Sequence, residues 1–151
     1  GAPRPSGCAK STVHISTSPR PVDTGPICGS TPGGNVHWER ILSDILEQIP
    51  KNESFSYRVF DCGVMDLGDA VQVTPKTLNI LEGSYSTHPE LIGRYDLKIF
   101  LKTSPETQSA RILKRNGPAR HKMFVEKWIP LENLYFTSYP VEKQCDLVFT
   151  T

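Results

Sequence analysis

Three stretches of this chain carry residue types that could handle phosphate. In the first, Ser6-Gly7-Cys8-Ala9-Lys10-Ser11-Thr12, a lysine precedes two hydroxyls. Phosphate-wrapping loops of the form G-x-x-x-x-G-K-S/T use that pairing because backbone amides, ammonium and hydroxyl converge on the same oxygens. Aligned to that form, Arg4 and Ala9 occupy the two glycine positions, where a side chain obstructs close backbone approach. Only Gly1 to Pro3 precede the aligned segment and Pro19 and Pro21 follow soon after, so the string reads as a flexible segment. The second stretch, Glu82-Gly83-Ser84-Tyr85-Ser86, follows the apolar run Leu78 to Leu81. A carboxylate there can hold a Mg²⁺-bound water or orient a phosphate-bearing substrate, or simply cap the next segment. In the third, Arg111, Lys114 and Arg115 lie three and four residues apart on one helix face. They could close over phosphate oxygens or form an ordinary basic surface.

The remaining reactive residues spell less. His14, His37, His88 and His121 show no metal-ligand spacing and read as surface or capping residues, and chain order reveals no Ser-His-Asp set. Cys8, Cys28, Cys62 and Cys145 form no C-x-x-C pair. They read as free thiols of a reducing compartment, with a disulfide among the three possible connectivities left open.

The elements that must position these groups follow from periodicity. Asn35 can cap a helix to Ile49, its stripe being Trp38, Ile41, Leu42, Ile45, Leu46 and Ile49, with Pro50 as the stop. Phe55 to Phe60 alternates as a strand, Asp66 to Asp69 reads as a turn and Ala70 to Val73 as a short strand, together a hairpin. Leu78 to Leu81 and Leu97 to Leu101 read as strands, with a short helix from Pro89 through Arg94 between them. Ser104-Pro105 starts a helix by cap and N1 proline, carrying Ala110, Ile112 and Leu113 inward and ending at Asn116-Gly117-Pro118. A helical stretch with Met123, Phe124 and Trp128, a segment from Pro130 and a strand Leu147 to Phe149 complete the order. The alternation predicts an α/β fold: a mainly parallel sheet with flanking helices and a small β-hairpin. Ligands of such sheets sit at the carboxyl ends of strands, which singles out Glu82, Gly83 and Ser84.

Composition narrows the function classes. The 151 residues predict one domain, and the net charge of +1 gives no basic footprint for nucleic acid. No run approaches the roughly 18 apolar residues of a membrane span, so a cytoplasmic protein without nucleic-acid or membrane partners is expected. Residues 1–34 hold six Gly, six Pro and nine Ser or Thr and no aromatic residue, which predicts a loop-like segment ahead of a body at 35–151.

Several blocks in one order carry a family resemblance: P-G-G-N-V-H-W-E-R (32–40), S-Y-R-V-F-D-C (56–62), E-G-S-Y-S-T-H-P-E-L (82–91), Y-D-L-K-I-F-L (95–101), R-I-L-K-R-N-G-P (111–118) and K-W-I-P-L-E-N-L-Y-F (127–136). Over residues 13–150 the chain resembles the bacterial uridine kinase-like branch of the phosphoribulokinase/uridine kinase family of P-loop kinases. The resemblance implies transfer of the ATP γ-phosphoryl group to a nucleoside 5′-hydroxyl with Mg²⁺. It implies Glu82 as the active-site glutamate, Arg111 and Arg115 as phosphate-binding lid arginines, and Tyr57, Arg58 and Asp61 as the hairpin side of a nucleoside pocket. His37 stands where the family has a ribose-gripping aspartate.

The sequence departs from the family where the chemistry belongs. His14-Ile15-Ser16-Thr17 stands where the family writes H-M-D-D, so the aspartate base is replaced by Ser16 and Thr17, neither of them anionic near neutral pH. With His14 in its aligned place, Lys10 cannot be the phosphate-loop lysine, and the fold is expected to lack the regular first strand, P-loop and helix. The expectation is a uridine kinase-like domain, a pseudokinase with phosphoryl transfer lost or strongly impaired. The alternative is a non-catalytic nucleotide-, nucleoside- or partner-binding remnant. A sheet without its central strand would also expose an apolar face that a second copy could cover, giving a homo-oligomer.

Overall fold

The structure, a computed structural model, describes residues 10–14, 31–61, 64 and 66–151. These form two compact units, one of residues 10–14 with Val36–Ser86, the other of residues 31–35 with Thr87–Thr151.

The first unit begins with strand β1 (Lys10–His14), which lies in the segment whose composition predicts loop. It forms because a distant partner exists: β1 pairs in parallel with β4 (Leu78–Glu82), Lys10 opposite Leu78 and His14 opposite Glu82. Strand formation depends on such neighbours more than on local composition. Helix α1 (Trp38–Ile41) is capped by His37 without a side-chain hydrogen bond, so Asn35 is not the cap. It widens into a π-helical turn at Leu42–Leu46, where Glu47 N–H donates to Leu42 O at 2.9 Å. Ile41 and Ile45 are the buried members of the apolar stripe. The helix therefore ends before Ile49, and Pro50 sits inside a separate 3₁₀ turn, Ile49–Lys51.

The expected hairpin is present as antiparallel β2 (Phe55–Asp61) and β3 (Asp66–Val73). Asp66 to Asp69, expected as a turn, belongs to β3, and the pairing shifts register between Arg58 and Phe60. A bulge of this kind takes up an extra residue, so turn-like composition survives inside a strand. The unit's core is Ile45 and Val73, with Ile49, Phe55, Tyr57 and Leu81 packed against them.

In the second unit β5 (Ile99–Lys102) pairs in parallel with β6 (Leu147–Thr150). Helix α2 (Pro105–Met123) starts as the sequence predicts, Ser104 Oγ accepting from Thr107 N–H at 3.2 Å. It breaks at Gly117 (φ 76°), the expected stop. A π-helical turn at Phe124–Trp128 leads into α3 (Ile129–Ser138), followed by α4 (Val141–Gln144). The inward face of α2 matches the expectation at Ile112, which is buried, whereas Ala110 and Leu113 are exposed. Ile112 lies at helical steps of four from Gln108 and Asn116, and this largely polar stripe faces the chain through Gln108 Nε2, which donates to Glu132 Oε2 at 3.0 Å. The helix expected from Pro89 is reduced to a 3₁₀ turn at Ile92–Arg94. Tyr135 and Leu91 are fully buried, and the Tyr135 ring meets Phe136 and Tyr139 at centroid distances of 5.1 and 5.5 Å.

Among the described residues the strands form three two-stranded sheets, two parallel and one antiparallel, and the expected single mainly parallel sheet is not assembled. Parallel strands are normally covered on both faces. Here Ile99, Leu101, Leu147 and Phe149, brought onto one face by the β5–β6 register, are 47%, 65%, 44% and 51% exposed. Among the described residues, no helix is long and apolar enough to cross a membrane.

Candidate functional site

The first unit holds Glu82, His37, Tyr57, Arg58 and Asp61. Glu82 is the last residue of β4 and is exposed. Gly83 follows, and Ser86 N–H donates to Gly83 O at 3.0 Å, a tight turn that leaves the carboxylate at the carboxyl end of the parallel pair. Lys10 and Ser11 lie opposite Leu78 and Asn79, at the other end of the same pair. Four residues of strand separate Lys10 from the level of Glu82, roughly 13 Å at the usual rise. Lys10 is therefore part of a strand, where the sequence predicts a flexible segment.

His37 sits at the entry to α1, with Nδ1 3.9 Å from Glu39 Oε2. Tyr57 is half-buried against the Ile45 and Val73 core, and this burial pushes its hydroxyl pKa up. Arg58 is exposed on β2, but its guanidinium is engaged: Nε donates to Gly68 O at 2.8 Å and Nη2 to Leu67 O at 2.5 Å. Asp61 ends β2 opposite Asp66 and is exposed. Ser16 and Thr17 lie outside the described residues.

The second unit holds the cations. Arg111 and Arg115 lie one turn apart on α2, both exposed. Arg111 Nη1 donates to Thr151 Oγ1 at 3.2 Å, while Arg115 Nε turns to Asn116 Oδ1 at 2.9 Å. Thr103 Oγ1 donates to Thr151 O at 3.0 Å, and Thr151 N–H to Lys102 O at 2.8 Å. Hydroxyls and one guanidinium thus gather at the carboxyl ends of β5 and β6, the end at which ligands of parallel strands sit. Lys114 is exposed as well.

Two histidines are less superficial than the sequence suggests. His88 is only 7% exposed, its ring nearly parallel to that of Tyr135 (12°) at 6.4 Å. His121 Nε2 shares a hydrogen bond with Ser109 Oγ at 2.8 Å across the break in α2. Cys145 is a free thiol whose pKa is raised by burial and by Asp146, although Lys98 opposes, which makes it a poor nucleophile.

A cavity of about 460 Å³ opens beside β5, lined among others by Phe100, Phe136, Val141 and Val148. Its Glu142 carboxylate is taken by Lys102 Nζ at 3.1 Å, and Lys143 also lines it. Among the described residues no group of three or more His, Cys, Asp or Glu could hold a metal ion. Glu82, the last residue of β4, belongs to no such group among the described residues. Arg40 went unremarked in the sequence although its i,i+4 spacing to Asp44 was legible: Nη2 lies 3.0 Å from Asp44 Oδ2 and also donates to Arg58 O at 3.0 Å.

No family model matches the sequence, and no curated protein matches it. Among solved structures the chain is similar to that of a "possible uridine kinase" from Bacillus stearothermophilus, at 15% identity and a TM-score of 0.64. The match covers 94% of this chain and 72% of that one. The protein thus has a uridine kinase-like fold. At that identity the likeness concerns fold alone.

Proposed function

We propose that this protein is a uridine kinase-like domain that binds a nucleoside or its nucleotide and has lost, or nearly lost, phosphoryl transfer from ATP. The fold likeness and the sequence blocks at 32–40, 82–91 and 111–118 support the kinase lineage. The loss is supported chiefly by Ser16 and Thr17, hydroxyl residues that stand where the resemblance expects the aspartate base. In this reading Glu82 is the surviving active-site carboxylate, Arg111 and Arg115 meet phosphate oxygens, and His37, Tyr57 and Asp61 belong to the nucleoside side. Phosphoryl transfer relies on positioning and charge neutralisation, so hydroxyls in place of a carboxylate base remove much of the rate.

Incubation with Mg²⁺, ATP and uridine or cytidine tests this directly. No monophosphate above a heat-killed control is expected, and turnover would refute the loss. Binding is read separately: uridine, uridine monophosphate or ATP should raise the melting temperature as RT ln(1 + [L]/Kd). No rise with any of the three would leave a partner-binding remnant as the better reading.

A further inference from the structure

The β2–β3 bulge places Gly68 and Asp69 against Val59, between the pairs Arg58–Ala70 and Phe60–Leu67. An extra residue interrupts the ladder, so carbonyls at the bulge need partners from elsewhere. Arg58 supplies them: Nε and Nη2 donate to the consecutive carbonyls of Gly68 and Leu67 at 2.8 and 2.5 Å. A planar guanidinium fork can meet two neighbouring oxygens at once, whereas a lysine ammonium is a single point. The backbones are close at this point, since a Cβ on Gly68 would lie 3.3 Å from Val59 O.

The carbonyl of Arg58 is used in turn. It accepts from Arg40 Nη2 at 3.0 Å, and Arg40 is itself oriented by Asp44, Nε donating to Oδ2 at 3.1 Å. A continuous set of bonds therefore runs from Asp44 and Arg40 on the first helical segment, through the main chain and side chain of Arg58, to the bulged strand. We infer that Arg58 is a positioning residue that locks the hairpin bulge and, with Arg40, ties it to helix α1, and that it is not a ligand of the nucleoside. This rests on the reading above only in what the hairpin carries, Tyr57 on one side of Arg58 and Asp61 beyond the bulge.

The test uses the full chain with Arg58→Ala, Arg58→Lys, Arg40→Ala and the Arg40→Ala/Arg58→Ala double variant. Amide hydrogen exchange over residues 66–73 reads the lock without any ligand, and uridine binding by calorimetry reads its consequence. Arg58→Ala should speed exchange there at least tenfold and weaken uridine binding, and Arg58→Lys should restore neither fully. Arg40→Ala should act in the same direction by less, and the double variant should match Arg58→Ala. Unchanged exchange in Arg58→Ala, or weakened binding with unchanged exchange, overturns the inference, the latter making Arg58 a direct ligand. If the unmodified protein binds no uridine, the nucleoside reading fails, and the exchange result alone decides the lock.

Discussion

Gly33 is the position at which one methyl group should cost most. Its φ is +72°, and a Cβ there would lie 3.0 Å from His88 Cδ2, 3.2 Å from His88 Nε2 and 3.2 Å from Tyr135 Cδ2. The left-handed backbone costs a non-glycine residue roughly 1–2 kcal/mol. The clash adds roughly 1–3 kcal/mol, as overpacking does where neighbours cannot yield. Neither ring has room to move, since His88 is 7% and Tyr135 0% exposed. The sum for Gly33→Ala is about 2–5 kcal/mol, and at about 2–4 °C per kcal/mol for a chain of this size the melting point should fall by roughly 4–20 °C. Gly93→Ala is the matched control, because nothing lies within 4 Å of its added Cβ. Thermal unfolding of both variants by circular dichroism gives the answer. A Gly33→Ala variant that melts within 2 °C of Gly93→Ala would refute the packing argument.

Other consequences can be measured on the same material. Ser104→Ala removes the oxygen that accepts from Thr107 N–H and should cost about 1 kcal/mol, a fall of roughly 2–4 °C; an unchanged midpoint would dismiss the cap. The backbone N–H of Lys98, 2.7 Å from Asp146 Oδ2, and then the Lys98 ammonium hold the Asp146 carboxyl below its ordinary value. Its contribution is complete above the unfolded value near 3.9 and disappears as pH falls through the lower folded one, so the urea-midpoint gap between the parent and Asp146→Asn should be wider at pH 5 than at pH 2, and an equal gap would refute it. Lys102→Ala breaks the exposed pair with Glu142 and should cost about 0.5 kcal/mol or less, less still at high salt; a loss above about 2 kcal/mol would show the pair to be more than a surface contact. The exposed face of Ile99, Leu101, Leu147 and Phe149 is a patch of roughly 300–600 Å². Two copies meeting there bury less than the roughly 1,200–2,000 Å² of stable complexes, so sedimentation should show weak self-association that Phe149→Lys reduces, and one monomeric species at every concentration would count against it.

Local rules were legible wherever a few adjacent residues decide the outcome. Ser104 and Pro105 start α2 and Gly117 breaks it because cap, fixed proline φ and glycine's left-handed freedom act within one turn. The hairpin from Phe55 to Val73 was legible for the same reason, but its bulge was not, since the bulge depends on where the Arg58 side chain finds carbonyls. Ala110 and Leu113 were expected inside because they are apolar. The face that packs is set by Glu132, which takes Gln108 from another helix. Of the candidate residues, the sequence named Glu82 and Arg111 from their places after a strand and along a helix. It could not foresee that Arg58 spends its guanidinium on the hairpin or that Tyr57 packs half-buried against Ile45 and Val73.

By itself, the sequence determined the start and break of α2 and the antiparallel hairpin, which live in short-range spacing. Tertiary structure alone decided that Lys10–His14 is a strand and that, among the described residues, the parallel strands pair two by two. The reason is physical: a strand acquires its hydrogen bonds from residues far along the chain. Composition around Lys10 speaks only for its own neighbourhood, whereas the partner that straightens it is Leu78 to Glu82.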